Sequence, residues 1–197
     1  MNSFVASKPT LIAALGGKHE SLVVKIALVL AGTMLLFISA RARVPLVPVP
    51  ITMQTFVVLG LGMAYGWRLG AITMIAYLAE GAVGLPVFAQ TPERGIGIPY
   101  MLGPTGGYLV GFVLAAGLVG YLAERGWDRS WLRTAAAMVL GNVAIYLPGV
   151  AWLAGLIGIE SAIQGGLLPF LWGDALKIAL ATALLPWCWK LVGRLRS

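Results

Sequence analysis

Charge is the scarcest property of this chain. Lysine, arginine, aspartate and glutamate make up 11% of its 197 residues, against 59% hydrophobic residues and a mean hydropathy of +0.90. That balance excludes an ordinary soluble domain. One cysteine, Cys188, excludes a disulfide framework within the chain. The sole histidine is His19, and no G-x-S-x-G is present, so the usual hydrolase nucleophiles have no partner and only Asp and Glu chemistry is left for an intramembrane enzyme. No G-x-x-x-x-G-K-[ST] phosphate loop occurs, so the chain does not hydrolyse ATP itself. The net charge of +7 lacks a basic patch interleaved with aromatics, which argues against nucleic acid. Residues up to Glu20 lack the compact apolar core of a signal peptide, so the first hydrophobic run is expected in the mature protein.

Long apolar runs are what the chain does have. A membrane-spanning helix needs roughly 20 mostly apolar residues. Six segments qualify or come close: Leu22–Ala40, Thr52–Gly66, Leu69–Val83, Thr105–Ala123, Leu132–Ile157 and Phe170–Val192. The second and third are short, which predicts tilt or local thinning of the bilayer. Pro148-Gly149 predicts a kink or an early end in the fifth. No strong internal repeat and no second domain are visible. The expectation is an all-α integral membrane protein, a six-helix bundle forming one substrate-binding domain over residues 1–197, with 1–20 as a cytoplasmic segment.

The basic residues orient it. With six spans and a cytoplasmic N-terminus, the inner side carries Lys8, Lys18, Lys25, Arg68, Arg125, Arg129, Arg133, Lys190, Arg194 and Arg196. The outer side carries only Arg41, Arg43 and Arg94, and Lys177 lies within a span. The positive-inside rule therefore predicts both termini in the cytoplasm. The basic inner face also suits anionic membrane lipid. Trp127, Trp131, Trp187 and Trp189 read as an inner aromatic belt, and Arg41 and Arg43 as anchors of a helix end.

Asp174 and Lys177 stand three positions apart inside the last apolar segment. Each intramembrane charge costs a few kcal/mol or more, and those that persist usually face an interior path or site. The i, i+3 spacing puts both on one face. The bland alternative is a purely structural ion pair. At similar depth the pattern gathers Gln54, Glu80, Thr105, Tyr108 and, nearer mid-membrane, Asn142. Convergent polar groups in apolar surroundings fit a small-molecule pocket facing the exterior. Gln54 and Asn142 could equally bond neighbouring helices, and Glu80 could be solvated at the headgroups.

Two outer connections are irregular. Val44–Thr52 reads V-P-L-V-P-V-P-I-T, an extended apolar path that should pack onto the bundle or dip into it. The second, Gly84–Pro104, leads into G-P-T-G-G-Y, where Thr105 is a candidate N-cap and the glycines permit close backbone approach. The bland alternative is a helix start with glycines for packing.

V-P-L-V-P-V-P-I-T-M-Q-T (Val44–Thr55), G-L-P-V-F-A (Gly84–Ala89), G-P-T-G-G-Y-L (Gly103–Leu109) and P-F-L-W-G-D-A-L-K (Pro169–Lys177) closely resemble the BioY family, the biotin-specific S components of energy-coupling factor (ECF) transporters. The resemblance runs from about Ala27 to the end of the last helix. It implies biotin as substrate, captured near the extracellular surface of a multi-pass cell (inner) membrane protein that is not an enzyme. Asp174 and Lys177 fall in the matching G-D-x-x-K, and Gln54, Thr105 and Tyr108 in matching motifs. Phe88 and Tyr108 are expected to pack on the thioether ring, with Asn142, Glu80 and Arg94 as further candidates. Arg94 lies in a segment longer and less glycine-rich than the family pattern. Ala27 and Ala31 look like the small-residue motif for docking on a transmembrane coupling subunit. The resemblance further implies a pair of ABC-type ATPases holding MgATP, with no cofactor or metal in this chain. A homo-oligomer is compatible with this reading, as are an S component for another vitamin and a structural subunit.

Overall fold

Residues 9–16 and 21–196 are described by a computed structural model. Lys8, Lys18 and His19 lie outside the described residues. The long apolar runs form helices α2 (Leu22–Arg41), α3 (Gln54–Tyr65), α4 (Trp67–Ala82), α6 (Gly106–Ala123), α7 (Trp131–Ile157) and α9 (Leu168–Arg196). They follow the six sequence segments, with starts agreeing to within two residues and the last extending to Arg196. Three short helices complete the set: α1 (Leu11–Gly16), α5 (Gly97–Met101) and α8 (Ile159–Gly166). By length and composition, four described stretches can cross a membrane: α2, α6, α7 and the run Ile159–Arg194. The protein is a multi-pass membrane protein.

Helix α6 is the centre of the bundle and packs against α3, α4 and α7. It can do so because glycine and alanine line it, so neighbouring backbones approach closely. Helix α2 is the opposite case. It packs on α3 and α4, and most of its other side chains, such as Leu30, Met34 and Ile38, point outward. Ser21 caps its start, accepting from Val24 N–H at 3.3 Å. At 12 residues, α3 is about 18 Å long, well short of a bilayer core of about 30 Å. Gly66, with φ +82°, turns the chain from α3 into α4 in a conformation that disfavours any side chain.

Several expectations change in detail. Pro148 does not end the fifth span, since α7 continues to Ile157. The proline-rich connection closes as two short antiparallel strands, β1 (Arg43–Val44) and β2 (Ile51–Thr52), pairing Arg43 with Thr52 and Val44 with Ile51. The three prolines occupy the loop between them, where a missing N–H costs no ladder bond. Helix α1 falls in the stretch expected to be a plain N-terminal segment. Its Leu11 and Ala14 are buried, and it packs against α3 and α9. Trp189 is more than a belt residue, because its indole N–H donates to Asp128 at 2.6 Å and ties α9 to the turn before α7.

Candidate functional site

Asp174 and Lys177 are 3% and 7% exposed, and Lys177 Nζ lies 3.0 Å from Asp174 Oδ1. Two residues not singled out from the sequence complete the cluster. Thr55, on the first turn of α3, accepts from Lys177 Nζ at 2.8 Å and donates to Asp174 Oδ1 at 3.3 Å. Tyr146, on α7, donates its hydroxyl to Asp174 Oδ2. Three helices therefore meet at one carboxylate. A buried ion pair survives only when further hydrogen bonds satisfy the remaining polar atoms, and Thr55 and Tyr146 supply them.

Beside the pair lies an interior cavity of about 50 Å³. Gln54, Phe88, Thr105, Tyr108 and Lys177 all line it, so five of the sequence candidates converge. Its wall is aromatic. Phe88 stacks on Tyr100 with centroids 5.2 Å apart and meets Tyr77 edge-on at 5.4 Å. Gln54 is held at both ends: its amide N–H donates to Tyr77 Oη at 2.8 Å, and Thr52 Oγ1 donates to its Oε1 at 3.4 Å. Tyr77 in turn donates to Val87 O at 2.7 Å. Thr105 occupies the N-cap position of α6, but its side chain makes no capping bond there. Tyr108 donates to Gly166 O at 2.7 Å, fixing α6 to the end of α8.

Three candidates lie elsewhere. Asn142 faces a second, apolar cavity of about 640 Å³ between α7, α8 and α9, which Tyr146 and Asp174 also line. The cause is rotation about α7, which turns Ile145 to the interior cavity and Asn142 and Tyr146, four residues apart, to the groove. Asn142 Oδ1 is buried without a hydrogen-bond partner among the described residues. Glu80 is half-buried near the end of α4 and lines neither cavity. Arg94 is exposed and outside the cavity lining, donating to Pro48 O at 2.9 Å. Ala27 and Ala31 are both exposed on α2, as a docking face requires.

The proline-rich loop and residues 84–104 cover this end of the bundle. Arg41 is more than an anchor: it donates to Thr91 O and Pro86 O, both at 2.7 Å. Arg43 pairs with Glu93 at 3.1 Å. The Glu93 carboxyl is held below the usual carboxylate range, first by its own backbone N–H and then by Arg43. Hydrogen bonds to a charged donor are worth about 1.5–3 kcal/mol each. Arg41→Ala is therefore expected to raise protease cleavage within 84–104 by at least about tenfold. Unchanged cleavage would show that the other ties hold the cover alone.

The comparisons agree with this architecture. The BioY family model matches residues 11–194. A protein of Thermotoga maritima named "Biotin transporter BioY" is 38% identical over 150 residues, covering 76% of this chain and 86% of that protein. A "Probable biotin transporter BioY" of Pyrococcus horikoshii is 36% identical over 157 residues, covering 80% and 91%. Each is named as a transporter rather than an enzyme. A solved structure described as the S-component for biotin from an ECF-type ABC transporter superposes with a TM-score of 0.70 at 25% identity, covering 90% of this chain and 95% of that one. The fold is that of an ECF S component, and the chain belongs to the BioY family.

Proposed function

We propose that this chain is the substrate-capture subunit of a biotin uptake transporter. It binds biotin in the outward-facing cavity beside Asp174 and Lys177 and delivers it across the membrane with an ATP-driven coupling module. The observation that carries the reading is the buried Asp174–Lys177–Thr55 cluster bordering an aromatic-walled cavity in a chain of this family.

Biotin makes three demands: a ureido group with two donors and one acceptor, an apolar bicycle, and a carboxylate. Asp174 accepts a ureido N–H, while Lys177 stabilises Asp174 and donates to the ligand. Gln54, which lines the interior cavity with Lys177, completes the ureido bonds, whereas Asn142 lines the groove that Asp174 also borders. Phe88 and Tyr108 pack on the bicycle. The carboxylate points to the Thr105–Gly107 backbone. No covalent bond is made or broken. Energy comes from outside the chain, from MgATP on ATPases reached through a transmembrane coupling subunit that docks at Ala27 and Ala31. In this reading both termini are cytoplasmic, as the excess of basic residues on that side favours.

Equilibrium binding of radiolabelled biotin to detergent-purified protein tests this. Desthiobiotin, which keeps the ureido group, is expected to compete well. An analogue lacking it is expected to be weaker by tenfold or more, because each buried donor left unpaired costs about 1–3 kcal/mol. Equal competition by both would sink the ureido anchor. Displacement by a different vitamin, or no binding by folded protein, would replace biotin as the substrate.

A further inference from the structure

Asp174 stands in the wall between two spaces. It lines the apolar groove of α7, α8 and α9, whereas its ion-pair partner Lys177 lines the interior cavity. Its two oxygens are engaged from opposite sides. Oδ1 meets Lys177 and Thr55, and Oδ2 takes the hydroxyl of Tyr146. Tyr146 lines the groove and stands edge-on to two rings of the cavity wall, Tyr108 at 6.3 Å and Phe170 at 6.3 Å. It thus stands beside the carboxylate in the groove wall and donates to it there.

Among the described residues, the Tyr146 hydroxyl is the donor that Oδ2 has. The groove is walled by aliphatic side chains such as Val143, Leu147, Ile163 and Leu171. Its remaining polar side chain is Asn142, whose amide makes no hydrogen bond to Asp174 among the described residues. Without the Tyr146 hydroxyl, Oδ2 would lose that donor and border the aliphatic groove, while Oδ1 keeps Lys177 and Thr55. The carboxylate would then reorient, and the surface it offers the cavity would change.

We propose that Tyr146 is a positioning residue: its hydroxyl fixes the Asp174 carboxylate beside the interior cavity and covers Oδ2 where Asp174 borders the groove. Tyr146 acts through Asp174 and need not touch the ligand. The affinity consequence rests on the biotin reading above; the covering of Oδ2 does not.

The experiment uses the full chain as wild type, Tyr146→Phe, Asp174→Asn and the double variant. Phenylalanine keeps the ring packing and removes only the hydroxyl. In liposomes, the lipid-soluble reagent dicyclohexylcarbodiimide is expected to label Asp174 at least about fivefold faster in Tyr146→Phe, read by mass spectrometry of the α9 peptide. In detergent, the biotin Kd is expected to rise about tenfold in Tyr146→Phe, as for one lost charge-assisted hydrogen bond. In the Asp174→Asn background the same change is expected to add less than about twofold, since coupled residues are non-additive. A merely structural tyrosine would give additive losses and unchanged labelling. Either unchanged labelling or additivity overturns the proposal. If the wild type does not bind biotin, the substrate assignment fails while the labelling ratio still decides the covering of Oδ2. Should Tyr146→Phe not accumulate, Tyr146→Trp, which keeps a ring but moves the donor, is expected to accelerate labelling in the same direction.

Discussion

Replacing Lys177 alone by Met is expected to destabilise the protein more than replacing Asp174 and Lys177 together by Asn and Met. The single change leaves the Asp174 carboxylate, 3% exposed, with only neutral donors around it. Breaking a buried pair from one side costs about 3–5 kcal/mol, whereas exchanging the whole pair for well-packed uncharged residues of similar volume is often close to neutral, and Asn keeps an acceptor for Thr55 and Tyr146. The double variant should therefore keep its thermal midpoint in detergent to within a few degrees while Lys177→Met falls well below it. Biotin affinity behaves differently. Both variants are expected to lose at least about a hundredfold, or about 2.7 kcal/mol, because in the proposed function the ligand meets the pair itself. Wild-type affinity in the double variant would make the pair structural, the alternative that the sequence left open. Equal stability of all three proteins would instead show that burial of the pair constrains little.

Gly107→Val is expected to cost about 3 kcal/mol or more of stability and to abolish the site with it. A Cβ at Gly107 would lie 2.3 Å from Pro148 O and 2.4 Å from Trp152 Cβ. Both atoms belong to the neighbouring helix or stand next to its backbone, so no flexible side-chain end can give way. The seam between α6 and α7 would have to open, and it positions Tyr108 on one side and Ile145 on the other, both of which line the cavity. Gly117→Val on the same helix is the control, since nothing lies within 4 Å of a Cβ there. Thermal unfolding in detergent followed by tryptophan fluorescence separates the two. Similar midpoints for both variants would refute close backbone packing as the reason for glycine at Gly107.

The sequence exposes those features that contradict their surroundings. Asp174 and Lys177 are legible because two charges in an apolar run violate the cost of burying charge, and the i, i+3 spacing fixes their common face. The spans are legible because hydropathy is local. Thr55, Tyr77 and Tyr146 are not, because a threonine or tyrosine in a membrane helix is ordinary. They become polar partners through the register between helices, which a linear pattern does not carry. Asn142 illustrates the same point in reverse. Its depth suggested the pocket, yet the rotation of α7 gives the cavity to Ile145, three residues on. Arg41 did leave a trace: two arginines flank the start of a proline-rich loop, a setting full of backbone carbonyls without helical partners. Helix α1 was lost for another reason. Six residues are too few for periodicity to register, and its burial comes from docking on α3 and α9.

The small interior cavity also has a kinetic meaning. Sites for small molecules usually enclose about 300–1,000 Å³, and this one holds about 50 Å³ beneath a cover tied by Arg41, Arg43 and Arg94. Under the proposed function, association with biotin is expected to take two steps. The cover parts first, and the observed binding rate should then level off with rising ligand concentration at the rate of opening. Apparent affinity falls by the fraction of molecules that are open at any instant. Under the proposed function, the same ties that delay arrival would delay departure, which suits scavenging a scarce ligand better than passing an abundant one quickly.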